Sequence, residues 1–332
     1  MIIILIAWFV LIGYGISLRK QNNPFGQEQT LALRGISSVE IMMGHIGLAT
    51  GSVVLYPNRK AGILFVGIFF LLSGYGVAYC TEQKTDYLKY FLINRAVKIL
   101  LPAYFVKILM IPLQFLLTNT GEQFTVYLES FFTALNWYVW EQLFFYLIFW
   151  AAYKIAPHYL EIIVGIVSVV FIGVAYIQGI DNPWYGSSLC FVLGLYFYKL
   201  EKRNTKCGHV RYCMLIVGLA FVLLSSMAAF FLLGNNSVLG NPIARNVASV
   251  SFCIITVLLL YKFRVVNSAS VLLGRCSYEI FLIHPYILSI LGKLSIESKV
   301  LQGILAVVVT ITLAYFIHLL IEKLMAGFKR KV

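Results

Sequence analysis

The chain has 332 residues, 61% of them hydrophobic and 12% charged, with a net charge of +13. A soluble domain would carry about a quarter charged residues. The basic residues gather at the ends of apolar stretches and form no single polar face, which excludes a nucleic-acid-binding protein and leaves one all-α, polytopic membrane domain.

Apolar stretches long enough to cross a hydrocarbon core of about 30 Å recur along the whole chain. They predict eleven transmembrane helices, at 1–18, 36–56, 61–80, 96–118, 131–153, 160–178, 184–200, 212–234, 245–262, 272–292 and 301–322. The first, beginning MIIILIAWFV, carries Arg19 and Lys20 after its apolar run and offers no small-residue cleavage site, so it reads as a retained span. No internal repeat is visible, which weakens a transporter built from inverted repeats.

Loop charges set the orientation. With the N-terminus outside, the inner loops and the C-terminus hold twenty of the 26 lysines and arginines, among them Lys84, Lys89, Lys199, Arg203, Lys206, Arg264, Arg330 and Lys331. The outer loops hold only Arg59, Lys60, Arg245, Lys293 and Lys299, and Lys107 lies within a span. The expected arrangement is N-out, C-in in a plasma membrane. The six cysteines form no CxxC pair, and the Cys207, His209, Cys213 spacing matches no common zinc site, so nothing calls for a metal.

Ionisable groups at membrane depth cost about 2.5–3.5 kcal/mol each, so each needs a reason. In the second predicted helix Arg34 and His45 are eleven residues apart and return to nearly one helix face, about 16 Å apart along the axis. Arg34 is expected at the cytoplasmic surface and His45 near mid-membrane, with Glu40 pointing elsewhere. In FFLLSGYG, Ser73, Gly74 and Gly76 open a gap that either a neighbouring helix or a ligand can use. Arg95 and Lys98 stand one turn apart before Pro102, where basic residues serve membrane anchoring or ligand docking.

The fifth helix opens NWYVWEQLFFY, and Glu141 within it is a carboxylate entering an apolar run. Trp137 and Trp140 suit the outer interface. The tenth carries SYEIFLIHPY, in which His284 precedes Pro285, whose missing N–H frees a carbonyl in the preceding turn. A buried histidine there is structural or lines a site.

These segments resemble the acyltransferase 3 family of membrane O-acyltransferases, over roughly residues 30–325, with helix 1–18 as an extra N-terminal span. The Arg-x10-His pair at Arg34 and His45 carries the likeness most sharply. FFLLSGY at 69–75, the basic pair before Pro102, the Trp137–Glu141 segment and SYxxFLxH at 277–284 support it. Relatives usually place arginine where this chain has Lys98, which trades a planar fork for a point charge.

The resemblance implies an enzyme that moves an acyl group, acetyl from cytoplasmic acetyl-CoA being the expected one, to a hydroxyl of a surface or lipid-linked glycan. No cofactor is tightly bound; the acyl-CoA is a donor substrate, the other partners are glycan and membrane lipid, and a homo-oligomer is compatible with the sequence. Arg34, Arg95 and Lys98 would dock the donor's phosphates. His45 would act as general base, its pKa near working pH suiting the task, with an acyl-histidine intermediate as the other route. Glu141 would orient His45 or hold the acceptor hydroxyl, if their helices touch. Ser73, Tyr75, Trp137 and His284 would contact substrate. Two other readings remain at this stage, a transporter or flippase for a polar substrate and a non-catalytic partner in envelope assembly.

Overall fold

A computed structural model describes residues 1–18, 24–118, 129, 135–202, 209–234, 237–294 and 296–329. Arg19, Lys20, Arg203, Lys206, Cys207, Arg330, Lys331 and residues 131–134 of the predicted fifth helix lie outside the described residues. Twelve α-helices form the described part: α1 (Ile2–Tyr14), α2 (Gln27–Thr50), α3 (Tyr56–Gln83), α4 (Phe91–Thr118), α5 (Trp137–Ile155), α6 (Leu160–Ile177), α7 (Leu189–Lys202), α8 (His209–Leu233), α9 (Ala244–Lys262), α10 (Ser268–Arg275), α11 (Ser277–Lys293) and α12 (Lys299–Lys329). A two-stranded antiparallel ribbon joins β1 (Ile16–Leu18) to β2 (Phe263–Val265), pairing Ile16 with Val265.

Each of the eleven predicted stretches has a counterpart, with one difference in kind. The single stretch expected at 272–292 is two helices, α10 and α11, bent by 73° at Cys276. Six described helices are long and apolar enough to cross a membrane, or seven if the bent pair counts as one span. α1 and α7, with 13 and 14 residues, fall short of a full crossing, since about 20 residues are needed. α2 and α5 are absent from that set for another reason: they carry buried polar side chains, among them Gln29, Ser38, Glu40, Glu141 and Gln142.

α2 is the hub, packed against α3, α10, α11 and α12, while α3 packs in turn on α7 and α9. Two close crossings make this possible. Gly74 of α3 and Gly194 of α7 each face the other helix's backbone, where an added Cβ would collide with the Phe191 and Leu71 carbonyls. Gly274 of α10 meets the Leu31 carbonyl of α2 in the same way. Such contacts are the means by which membrane helices approach when lipid offers no hydrophobic drive between them. They also resolve the two uses open to the 73–76 gap: Gly74 serves packing, whereas Gly76 has open space.

Polar clips hold the rest. Glu40 accepts from Trp8 Nε1 of α1 at 2.7 Å and from Asn58 Nδ2 of α3 at 2.6 Å. That satisfies both oxygens of a buried carboxylate, which would otherwise be costly, and it gives Glu40 a structural task. At the other end of α2, Gln29 bonds both backbone groups of Val265. Asn267 caps α10 through Ser270 and donates to the Leu11 carbonyl at 2.7 Å. The ribbon, α1 and the short α10 are thereby tied to the end of the bundle that carries Arg34.

Candidate active site

Two imidazoles meet where α2 and α11 pack. His45, on the second half of α2, is exposed to a cavity of about 460 Å³, and the buried His284 of α11 lines the same cavity. Their ring centroids are 5.0 Å apart, with planes tilted by 46°. Both halves of the bent pair, α10 and α11, pack against α2, and α11 carries His284 there.

The tautomer of His284 follows from its partner. Nδ1 lies 3.1 Å from the Ile280 carbonyl oxygen. A carbonyl only accepts, so Nδ1 carries the hydrogen and Nε2 of the neutral ring keeps its lone pair. Pro285 leaves the Phe281 carbonyl without its usual helical donor, and the His284 ring engages that carbonyl as well. Nε2 is buried with no hydrogen-bond partner among the described residues. The result is a fixed ring presenting an unused acceptor beside His45.

A second polar cluster lies toward the Arg34 end. Arg95 Nε donates to Tyr87 Oη at 3.1 Å, with a further guanidinium hydrogen bond to the same oxygen. It also donates to Tyr146 Oη at 3.5 Å, its guanidinium 5.0 Å from the centroid of that ring. Tyr146 Oη is 2.8 Å from Ser73 Oγ, which accepts from Gln142 Nε2 at 2.8 Å. Gln142 Oε1 accepts from Tyr138 Oη at 3.3 Å. Arg34 stands within electrostatic reach of Tyr138, Tyr146 and Arg95. Lys98, one turn beyond Arg95, is exposed.

The hydrogen-bonded row thus runs Arg95–Tyr146–Ser73–Gln142–Tyr138. Tyr138 packs on Phe281 at 5.0 Å, and Phe281 meets the His284 ring edge-to-face at 5.9 Å. Arg95 and the buried ring of the histidine pair are therefore linked by contiguous polar and aromatic contacts.

Other expected site residues fall elsewhere. Trp137 lines the His45 cavity, beside Asn136. Tyr75 does not: its hydroxyl donates to Glu201 at 2.5 Å and its ring stacks on Phe25 at 4.0 Å. Glu141, expected either to orient His45 or to hold the acceptor hydroxyl, does not line the His45 cavity. Its Oε1 accepts from Ser188 Oγ at 2.7 Å, and it lines a separate pocket with Trp140, Phe144, Phe171 and Trp184. Successive helix residues point about 100° apart, so Gln142 faces Ser73 while Glu141 turns toward Ser188.

Gln142 and Tyr146 were not singled out from sequence. Their signal was present, since Tyr138, Gln142 and Tyr146 repeat at four-residue spacing and form one polar stripe on α5. Arg59, Lys60 and Arg245 were read only as outer-loop charges, yet all three line the His45 cavity.

A family model described as an acyltransferase domain, acyltransferase 3, matches residues 32–319 of the chain. No curated protein and no solved structure matches it.

Proposed function

The chain belongs to the acyltransferase 3 family, and from that premise we propose that it is an O-acyltransferase. In this reading it moves acetyl from cytoplasmic acetyl-CoA to a hydroxyl of a surface or lipid-linked glycan at the plasma membrane. The observation that carries the reading is the solvent-accessible His45 ring beside the fixed His284 ring, both lining a cavity large enough for a small ligand.

The donor arrives from the Arg34 end. Arg34, Arg95 and Lys98 hold its phosphates, for which guanidinium forks are well suited, and the thioester reaches inward toward His45. The acceptor enters from the opposite end, beside Trp137. His45 takes the proton of the glycan hydroxyl as its oxygen bonds to the thioester carbonyl carbon. The tetrahedral intermediate then collapses, the C–S bond breaks, and the imidazolium returns the proton to the departing thiolate of coenzyme A. His284, with its free Nε2 acceptor, takes over the positioning task that sequence reasoning gave to Glu141. Ser73 acts through Tyr146 and Gln142, holding the row next to the donor.

The test is release of coenzyme A from labelled acetyl-CoA by the purified full chain, with glycan acceptors supplied. Glycan-dependent release with label recovered in the glycan is the expected result. A protein that bound coenzyme A yet released none with any glycan would sink the reading.

A further inference from the structure

Among the described residues three cations line the His45 cavity, and no carboxylate does. Arg59 and Lys60 enter from the first turn of α3. Arg245 enters from the first turn of α9, directly after a π-helical turn at Leu239–Ile243. Among the described residues none of the three joins an ion pair.

Aromatic faces hold two of them instead. The Arg245 guanidinium lies 4.2 Å from the Phe230 centroid, and the Lys60 ammonium lies 5.4 Å from Phe230 and 5.5 Å from Phe231. A π face steadies a cation without cancelling its charge, and leaves N–H donors for another partner. Arg245 Nε is buried and has no hydrogen-bond partner among the described residues. Partly buried positive charge without a counter-charge is costly, and a bound anion offsets that cost. The planar guanidinium donors of Arg245 match a phosphate or a carboxylate.

Resting on the acyltransferase reading, we propose that this cavity selects an acceptor carrying an oxyanion, a phosphate or a carboxylate. Arg245 and Lys60 hold that group, Arg59 adds charge at the mouth, and His45 faces the hydroxyl to be acylated. A neutral sugar would leave all three cations unmatched. The donor's own phosphates are the competing occupant.

The experiment is equilibrium binding of three labelled probes to the full chain in neutral phosphatidylcholine nanodiscs: a hexose 1-phosphate, the corresponding uronic acid and the neutral hexose. At least one charged probe is expected to bind about tenfold or more tightly than the neutral one. A lead for the phosphate or for the uronate identifies which oxyanion the site takes. Arg245→Gln and Lys60→Gln should erase the advantage and leave coenzyme A affinity unchanged, while Arg245→Lys keeps part of it. Arg59→Gln, at an exposed position, should reduce the advantage and serves where a buried variant fails to fold. Equal binding of all three probes, or an advantage undiminished in these variants, overturns the proposal. Loss of coenzyme A affinity in Arg245→Gln and Lys60→Gln also overturns it, by making the cavity the donor's. Because binding needs no transfer, an anion preference in a protein that never releases coenzyme A would refute the enzyme reading, and with it the ligand's role as acceptor, while keeping the anion site itself.

Discussion

The His45 and His284 rings stand 5.0 Å apart at the junction of α2 and α11, one exposed to a cavity and the other buried and locked by backbone carbonyls. The pair divides the work that a single histidine would do poorly. One ring is free to take a proton, and the other has its tautomer fixed and an acceptor to spare. His284→Ala should lower turnover by about 10- to 100-fold, with coenzyme A affinity unchanged. Steady-state kinetics alongside a binding titration separates the two quantities; unaltered turnover would remove His284 from the site.

Glu141 gives the opposite expectation. Its hydrogen bond goes to Ser188, away from His45, so Glu141→Gln should leave the rate within about threefold of wild type, because an amide oxygen still accepts from the serine hydroxyl. A loss comparable to that of His45→Ala would restore Glu141 to the chemistry.

The Arg95 guanidinium is steadied by Tyr87 and Tyr146. Removing it should weaken acetyl-CoA binding by about tenfold to a hundredfold, the worth of a hydrogen bond to a charged group, with a smaller effect on kcat. Arg34→Ala should act in the same direction. Tyr146→Phe keeps the ring and loses the hydroxyl, so a milder rise in KM is expected. If titration gave wild-type coenzyme A affinity in both arginine variants, donor docking at this end of the bundle would be wrong.

The α3–α7 crossing is tested by stability. Gly194→Val forces a branched side chain into the Leu71 carbonyl and should destabilise the fold by about 1–3 kcal/mol or more, as overpacking does. Gly76→Ala, where nothing lies within 4 Å, should be neutral. Thermal unfolding in detergent compares the two; equal midpoints would contradict the close contact.

The helices were legible because apolar length is a strong signal, and α2 carries both Arg34 and His45 as that signal predicts. The break at Cys276 was not, since 272–292 reads as one apolar run, and nothing in its periodicity marks the 73° bend between α10 and α11. Sequence also favoured Glu141 over Gln142. A carboxylate in an apolar run is conspicuous and an amide is not, yet which of two neighbours faces Ser73 depends on the rotation of α5, set by its packing. Arg59, Lys60 and Arg245 were legible as charges and as belonging to one end of the bundle. Their convergence on a single cavity needed the fold.

The most direct measurement is transfer of labelled acetyl from acetyl-CoA to glycan in membranes carrying either the wild-type chain or His45→Ala at matched expression and insertion. Label should enter the glycan with wild type and fall by about 10²–10⁴-fold in the variant, the usual worth of a general base. Undiminished label with His45→Ala would contradict the assignment of the chemistry to that ring.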